Sequence, residues 1–293
     1  MKITDMWASA SRPTVSFELY PARGEKAAAK LETTIDELAD LKPDFVSVTF
    51  GAGGSTREGS RQLIDKLKNG KKLETVAYFA CFGLGPGDIA SVLDDYRQLG
   101  VQNVLAVRGD PPHGQDDFKP HPESLAHASD LVAFIESRYG FCLGAAGYPE
   151  GHIEAESRDK DLEYLKLKVD NGAQYIIANY FYDNAFFFDF VDRCRALGIQ
   201  VPVLPGVMPI YGAKMMRNLA GLCGATIVEE IEKGLAAIAE GDKKAVAQFG
   251  IDYAVKQCRG LIEKGVVGLH IYTMDRSGAC RDILGRLRGE GLL

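Results

Sequence analysis

The 293-residue chain has one tryptophan and five histidines, and none of its six cysteines forms a CxxC pair or stands at ligand spacing from a histidine. That excludes the usual zinc and iron–sulfur ligand sets. Cys81, Cys142, Cys194, Cys223, Cys258 and Cys280 read instead as reduced thiols, several of them buried. No apolar run approaches the roughly 20 residues of a membrane span. Met1 to Thr14 has neither an apolar core nor a cleavage-type segment, so a cytoplasmic location is expected. Positive charge is not in excess: the net charge is −6 and Lys and Arg are scattered. This argues against a nucleic-acid or anionic-membrane surface. A GxGxxG segment is also missing, which removes a Rossmann dinucleotide site.

What the chain does have is a recurring unit, a short apolar β-type run ending in a polar or glycine-rich loop and followed by an amphipathic helix. Eight such runs are read: Val15–Leu19, Phe45–Phe50, Thr75–Phe82, Asn103–Val107, Phe141–Tyr148, Tyr175–Tyr182, Val201–Ile210 and Gly268–Met274. Near-continuous apolar runs alternating with helices mean parallel strands covered on both faces. Eight of them close most economically into an α/β fold of the (β/α)8 TIM barrel type, a single domain over residues 1–293. Leu31, Ile35, Leu38 and Leu41 fall on one helical face, as do Ile89, Val92, Leu93 and Tyr96, and both stripes read as core. The interval Gly212–Val267 is long enough for a seventh helix and an extra helical stretch, Ile227–Glu263, before the last strand.

Barrel chemistry sits at the carboxyl ends of the strands, so the residues there are the candidates. Glu18 is an ionisable residue near the end of an otherwise apolar first strand. Desolvation favours its protonated form, a general acid at neutral pH, although a buried ion pair explains it equally well. Asp110, in Arg108-Gly109-Asp110-Pro111-Pro112, closes the fourth strand and supplies either a second acid at the same mouth or a loop salt bridge to Arg108. Gly51-Ala52-Gly53-Gly54-Ser55-Thr56 and Gly83-Leu84-Gly85-Pro86-Gly87 offer backbone amides to a phosphate, or simply make tight turns. Tyr148, Glu150 and His152 crowd the fifth loop, with Asp161 and Lys168 on the helix beyond, a set that suits a ligand with a ring and a phosphate.

Taken in order, seven segments resemble motifs of the methylenetetrahydrofolate reductase family. They are Val15–Glu18, Phe45–Arg57, Leu105–Pro112, Tyr148–His152, Lys168–Ala173, Pro205–Ile210 and His270–Arg276, and together they cover nearly the whole chain. The resemblance implies a barrel that holds flavin adenine dinucleotide (FAD) and reduces 5,10-methylenetetrahydrofolate to 5-methyltetrahydrofolate. NADH or NADPH would be the electron donor. By position, Glu18 would protonate the folate amine as the imidazolidine ring opens, and Asp110 would lie near flavin and pterin. Thr49, Tyr78, Arg108, Gly109, Asp110, His127, Ala128, Tyr148, His152, Ala155, Asp161 and Lys168 match flavin-contact positions. Glu18, Asp110, Asn179, Met215, Leu219 and Arg276 match folate-contact positions.

Some of these positions depart from the family pattern. Tyr78 stands where a flavin-contacting histidine is usual, and His127 where a tyrosine is common. Asn179 replaces a glutamine that hydrogen-bonds the pterin, while Met215 and Leu219 replace glutamine and phenylalanine. The resemblance also implies a homo-oligomer, and in some relatives an accessory redox subunit. Two rivals are weaker. A non-catalytic subunit of a larger reductase complex would be expected to have lost Glu18 and Asp110. An aldolase would want a lysine, and a metal-dependent hydrolase a His/Asp cluster, where the sixth strand ends in Asn179-Tyr180-Phe181-Tyr182-Asp183.

Overall fold

The computed structural model describes residues 1–22, 24–51, 57–111 and 118–293. Its eight strands are β1 (Thr14–Leu19), β2 (Phe45–Val48), β3 (Thr75–Ala80), β4 (Asn103–Val107), β5 (Cys142–Gly147), β6 (Tyr175–Ala178), β7 (Val203–Val207) and β8 (Gly268–Tyr272). Every neighbouring pair is parallel and β8 closes on β1, giving a barrel in sequence order. The helices among the described residues are α1 (Ile3–Ser9), α2 (Glu25–Asp40), α3 (Arg57–Asp65), α4 (Pro86–Gln98), α5 (Ala128–Glu136), α6 (Arg158–Asp170), α7 (Asn184–Ala196), α8 (Ala213–Cys223), α9 (Glu229–Ala236), α10 (Lys243–Glu263) and α11 (Gly278–Gly289). Local sequence starts several of them. Pro86 opens α4, and the side chains of Ser157, Asp183 and Asp242 accept from first-turn amides of α6, α7 and α10.

Alternation along each strand divides the core in two. Outward residues such as Val15, Phe17 and Leu19 on β1 join the inner faces of the surrounding helices, including Leu31, Ile35 and Leu38 of α2 and Ile89, Val92 and Leu93 of α4. Inward residues Phe45, Val76, Leu105, Cys142, Tyr175 and Leu204 fill the lower barrel. Here α1, which two short turns of sequence do not announce, closes the amino end. Ile3 is buried, and the Trp7 ring meets Phe45 and Tyr175 edge-on at 6.3 and 5.7 Å while its Nε1–H donates to Thr14 Oγ1 at 2.9 Å.

Most of the observed strands stop short of the apolar runs that announce them. Apolar sequence continues past the last ladder bond of β6 and β7, but Tyr180, Tyr182, Met208 and Ile210 leave the sheet to pack with α8 and α9 over the mouth. The added material therefore lies earlier than the stretch Ile227–Glu263 suggests. Ala254, Val255, Cys258 and Leu261 of α10 share the outer core, so α10 is the ring helix between α7 and α11, and α8 with α9 forms the insertion. Among the described residues no helix is long and apolar enough to cross a membrane. All six cysteines are free thiols, five of them buried.

Gly144 on β5 is required by a close approach, because a Cβ there would lie 2.2 Å from the Tyr175 ring that crosses the lower barrel. The Gly144→Ala variant is expected to lose about 1–3 kcal/mol in urea unfolding through overpacking. Wild-type stability in that variant would contradict the packing described.

Candidate active site

Strand β1 has an inward face made only of polar residues, Thr14, Ser16 and Glu18, all buried. Register places Ser16 beside His270 and Glu18 beside Tyr272 of β8, and Glu18 beside Ser47 of β2. The upper barrel is thus a polar chamber above the apolar plug. Glu18 is 3% exposed. Its Oε1 accepts from the Tyr20 hydroxyl at 2.6 Å, and its Oε2 lies 3.8 Å from His270 Nε2. The His270 ring is fully buried, with Nδ1 2.8 Å from Ser16 Oγ and Nε2 3.4 Å from Ser47 Oγ and 3.3 Å from the Tyr78 hydroxyl. Burial, and after it the Glu18 charge, pushes the phenols of Tyr20, Tyr78 and Tyr272 well above the ordinary tyrosine value. They remain protonated donors around the carboxyl group.

The other expected acid is differently placed. Asp110 follows β4 with its side chain 71% exposed, and Arg108 Nη2 lies 3.5 Å from its Oδ1 and 2.8 Å from Glu154 Oε2. The salt bridge weighed against an acid role is therefore present, in the weak, solvent-screened form of a surface pair. Gly109 has φ +79°, and a Cβ there would lie 2.7 Å from the Ala80 Cβ, so both backbone conformation and space call for glycine. Thr49 lies half-buried just beyond β2, its carbonyl accepting from Ser60 Oγ at 2.9 Å. Ala52–Thr56 and Pro112 fall outside the described residues. Gly83 and Gly85 sit against Phe118 and His121, where a Cβ would lie 2.4 and 2.9 Å from the respective rings, so close packing accounts for them.

The fifth and sixth units bring a second group of candidates together. Tyr148 meets His152 edge-on at 4.6 Å, and the His152 amide donates to Asp161 Oδ2 at 3.2 Å. The Ala155 amide donates to the His152 carbonyl at 2.9 Å, closing the turn. Lys168 Nζ donates to the Ala146 carbonyl at 2.9 Å. Burial pushes the Asp161 carboxyl up and the Lys168 amine down to about 8, each partly offset by the other's charge. His127 is exposed at the start of α5, its amide donating to Asp130 Oδ2 at 3.0 Å, with Ala128 half-buried after it.

Three of the six positions expected to contact folate come together in one cavity. Met215, Leu219 and Arg276 share a cavity of about 880 Å³ with Tyr211, Lys214 and Lys243. The Arg276 guanidinium lies 5.1 Å over the Tyr211 ring. It is carried there by Met274 and Asp275, consecutive non-glycine residues at φ +49° and +52°, a strain tolerated where surrounding contacts over-determine it. Those contacts are the Tyr20 amide donating to Asp275 Oδ1 at 3.1 Å and the Thr273 hydroxyl donating to the Glu18 carbonyl at 2.6 Å. Asn179 lines no described cavity; its Oδ1 accepts from the Tyr180 amide at 3.0 Å. The buried hydroxyls of Tyr180 and Tyr182 lack a nitrogen or oxygen partner among the described residues, with the Cys223 thiol beside Tyr180.

Sequence reasoning singled out Glu18 and missed Ser16, Tyr20, Ser47 and His270 around it. The available signal was polar alternation on an inward face, Thr14, Ser16 and Glu18 on β1 and His270 and Tyr272 on β8, at the period of two that a strand imposes.

In the free protein the Lys168 amine is expected to titrate near pH 8, measured by NMR of the isotopically methylated protein. Its value is depressed in the fold, so the unfolded chain binds this proton more tightly between about 8 and 10.5. Stability relative to Lys168→Met should therefore rise with pH across that window. Titration at the ordinary lysine value, with no such rise, would contradict the burial.

A family model for methylenetetrahydrofolate reductase matches residues 2–288. Methylenetetrahydrofolate reductase (NADH) 1 of Arabidopsis thaliana is 38% identical over 307 residues, covering 100% of this chain and 51% of that one. The 5,10-methylenetetrahydrofolate reductase of Escherichia coli strain K12 is 34% identical over 266 residues, covering 90% of this chain and 86% of that one. The chain spans about half the length of the plant and yeast relatives it matches. Among solved structures, an uncharacterized Clostridium thermocellum protein that binds two copies of 5-methyl-5,6,7,8-tetrahydrofolic acid superposes with a TM-score of 0.66 at 16% identity, covering 97% of this chain and 96% of that one. At that identity the likeness speaks for the barrel fold alone.

Proposed function

Because the chain belongs to the methylenetetrahydrofolate reductase family, we propose that residues 1–293 form a flavin-dependent catalytic barrel that reduces 5,10-methylenetetrahydrofolate to 5-methyltetrahydrofolate. The observation that carries the reading is a carboxyl group at the end of β1, 3% exposed and hydrogen-bonded by Tyr20, at the mouth where barrel enzymes do their chemistry. NADH is the favoured donor, since plant relatives carry it in their names, with NADPH the alternative. A cytoplasmic homo-oligomer is the accompanying expectation.

The chain's own groups fit FAD. Lys168, an amine drawn out of water with only a backbone carbonyl for a hydrogen-bond partner among the described residues, suits an anionic diphosphate. Arg108, Gly109, Tyr148, His152, Ala155 and Asp161 border the same side, with Thr49, His127 and Ala128 toward the loops of β2 and β4. When bound, the flavin supplies the hydride chemistry. The folate side fits as well. Arg276 and the cavity holding Met215 and Leu219 suit the tail of the substrate, and the hydroxyls of Tyr180 and Tyr182, without a nitrogen or oxygen partner among the described residues, together with Asn179, suit a heterocycle with several donors and acceptors.

Within this frame Glu18 delivers its proton to the folate amine. The C–N bond of the imidazolidine ring then opens to a 5-iminium cation, which accepts hydride to become the methyl group. Asp110, negative and exposed toward the mouth, favours that cation. Enclosure by Tyr20, Tyr78 and Tyr272 keeps water from competing for the Glu18 proton.

In Glu18→Gln, flavin and folate binding should persist and flavin reduction by NADH should stay within a few-fold of wild type. Folate reduction should fall by about 10²–10⁴-fold, the range of a general acid. Stopped-flow measurement of the two half-reactions separates these effects, and normal folate turnover would remove Glu18 from the role. Asp110→Asn should slow the folate half-reaction more than the nucleotide one; equal slowing would make Asp110 a purely structural residue.

A further inference from the structure

Tyr78 matches a flavin-contact position by sequence, yet its hydroxyl is turned into the barrel interior, 3.3 Å from His270 Nε2. The surrounding hydrogen bonds fix what it can do there. The Ser16 hydroxyl donates to the Leu269 carbonyl at 3.2 Å, so its oxygen accepts from His270 Nδ1–H at 2.8 Å. This leaves Nε2 as the lone-pair nitrogen, facing the Tyr78 hydroxyl, Ser47 Oγ at 3.4 Å and Glu18 Oε2 at 3.8 Å. The imidazole cannot turn away, because Phe45 stacks against it at 6.4 Å and Tyr272 meets it edge-on at 5.4 Å. Glu18 is thus addressed from both sides, Oε1 by Tyr20 and Oε2 by the imidazole that Tyr78 holds.

We propose that Tyr78 is a positioning residue for proton delivery. By donating to His270 Nε2 it occupies the one lone pair of the neutral imidazole, so that this ring, 3.8 Å from Glu18 Oε2, does not take the acid's proton, which stays on the carboxyl group in a chamber closed to water until the folate amine accepts it. The proposal rests on Glu18 being the acid. The titratable groups facing the imidazole are Glu18 and Tyr20 from β1 and its end, Tyr78 from β3 and Tyr272 from β8, with Asp275 beyond Tyr20. The three phenols stay protonated because burial opposes their ionisation, so Glu18 and His270 are the two groups between which the proton is decided. Removing the Tyr78 hydroxyl takes a donor from the neutral imidazole and so raises its proton affinity.

The test uses the free protein, labelled with nitrogen-15 at histidine. In wild type, the His270 ring should show protonated Nδ1 and lone-pair Nε2 at neutral pH. In Tyr78→Phe, at the same pH, a larger share of the rings should carry a proton on Nε2. With flavin bound, the same variant should lose about tenfold in the rate of the folate half-reaction near pH 7 with little change in KM. A proton found on Nε2 in the wild-type protein would overturn the proposal without any variant, and so would unchanged His270 ring-nitrogen signals in Tyr78→Phe. Failure of the acid role itself is distinguishable, because it shows in Glu18→Gln turnover, whereas the imidazole signals need neither cofactor nor substrate.

Discussion

A carboxyl group held almost wholly out of water must be given hydrogen-bond partners, and the upper half of this barrel is arranged around doing so for Glu18. Tyr20, one turn of chain beyond it, supplies one partner at 2.6 Å. The rest of the cluster is Ser16 from lower on β1, Ser47 from β2, Tyr78 from β3, and His270 and Tyr272 from β8, with the first three gathered on the His270 ring that lies 3.8 Å from Glu18 Oε2. Closure of β8 on β1 is what brings His270 beneath Glu18, so the acid's surroundings exist only in the closed barrel. Thr273 and Asp275 extend the same network, bracing the strained turn that carries Arg276 to the cavity it shares with Met215 and Leu219.

The lower half works on the opposite principle. Phe45, Val76, Leu105, Cys142, Tyr175 and Leu204 make a dry floor, and Ile3 and Trp7 of α1 seal it. Stability is thereby concentrated at the amino ends of the strands and chemistry at the carboxyl ends, the division that parallel barrels share. Gly144 belongs to the floor, yielding its side-chain volume to the ring of Tyr175. The insertion α8–α9 belongs to the mouth, where it covers Tyr180, Tyr182, Met208 and Ile210 and borders a cavity of about 880 Å³.

The barrel was legible because its signal is local and repeated. Runs such as Asn103–Val107 and the face Ile89, Val92, Leu93, Tyr96 carry their period in the sequence itself, and each lies where its period places it. Strand ends were less legible, since apolar residues serve equally in a ladder and in a cover over the mouth; Tyr180 and Ile210 do the second. The helix α1 was invisible because Ile3, Met6 and Trp7 make too short a stripe to register. Around the acid, the sequence marks Glu18 by its charge amid apolar neighbours, and the family resemblance marks Asp110. His270 is marked only by which way its strand faces, and its meeting with Glu18 depends on contacts more than 250 positions apart in the chain. Tyr78, matched by resemblance to a flavin-contact position, places its hydroxyl 3.3 Å from His270 Nε2, a contact that nothing in the sequence announces.

The central claim is flavin-mediated reduction of a folate at this mouth, and its most direct test is the visible spectrum of the purified protein through one anaerobic cycle. Flavin absorbance that bleaches on addition of NADH and returns on addition of 5,10-methylenetetrahydrofolate, with 5-methyltetrahydrofolate recovered in equal amount, is the predicted result. A colourless protein that FAD cannot reconstitute, or a reduced flavin that the folate fails to reoxidise, would contradict it.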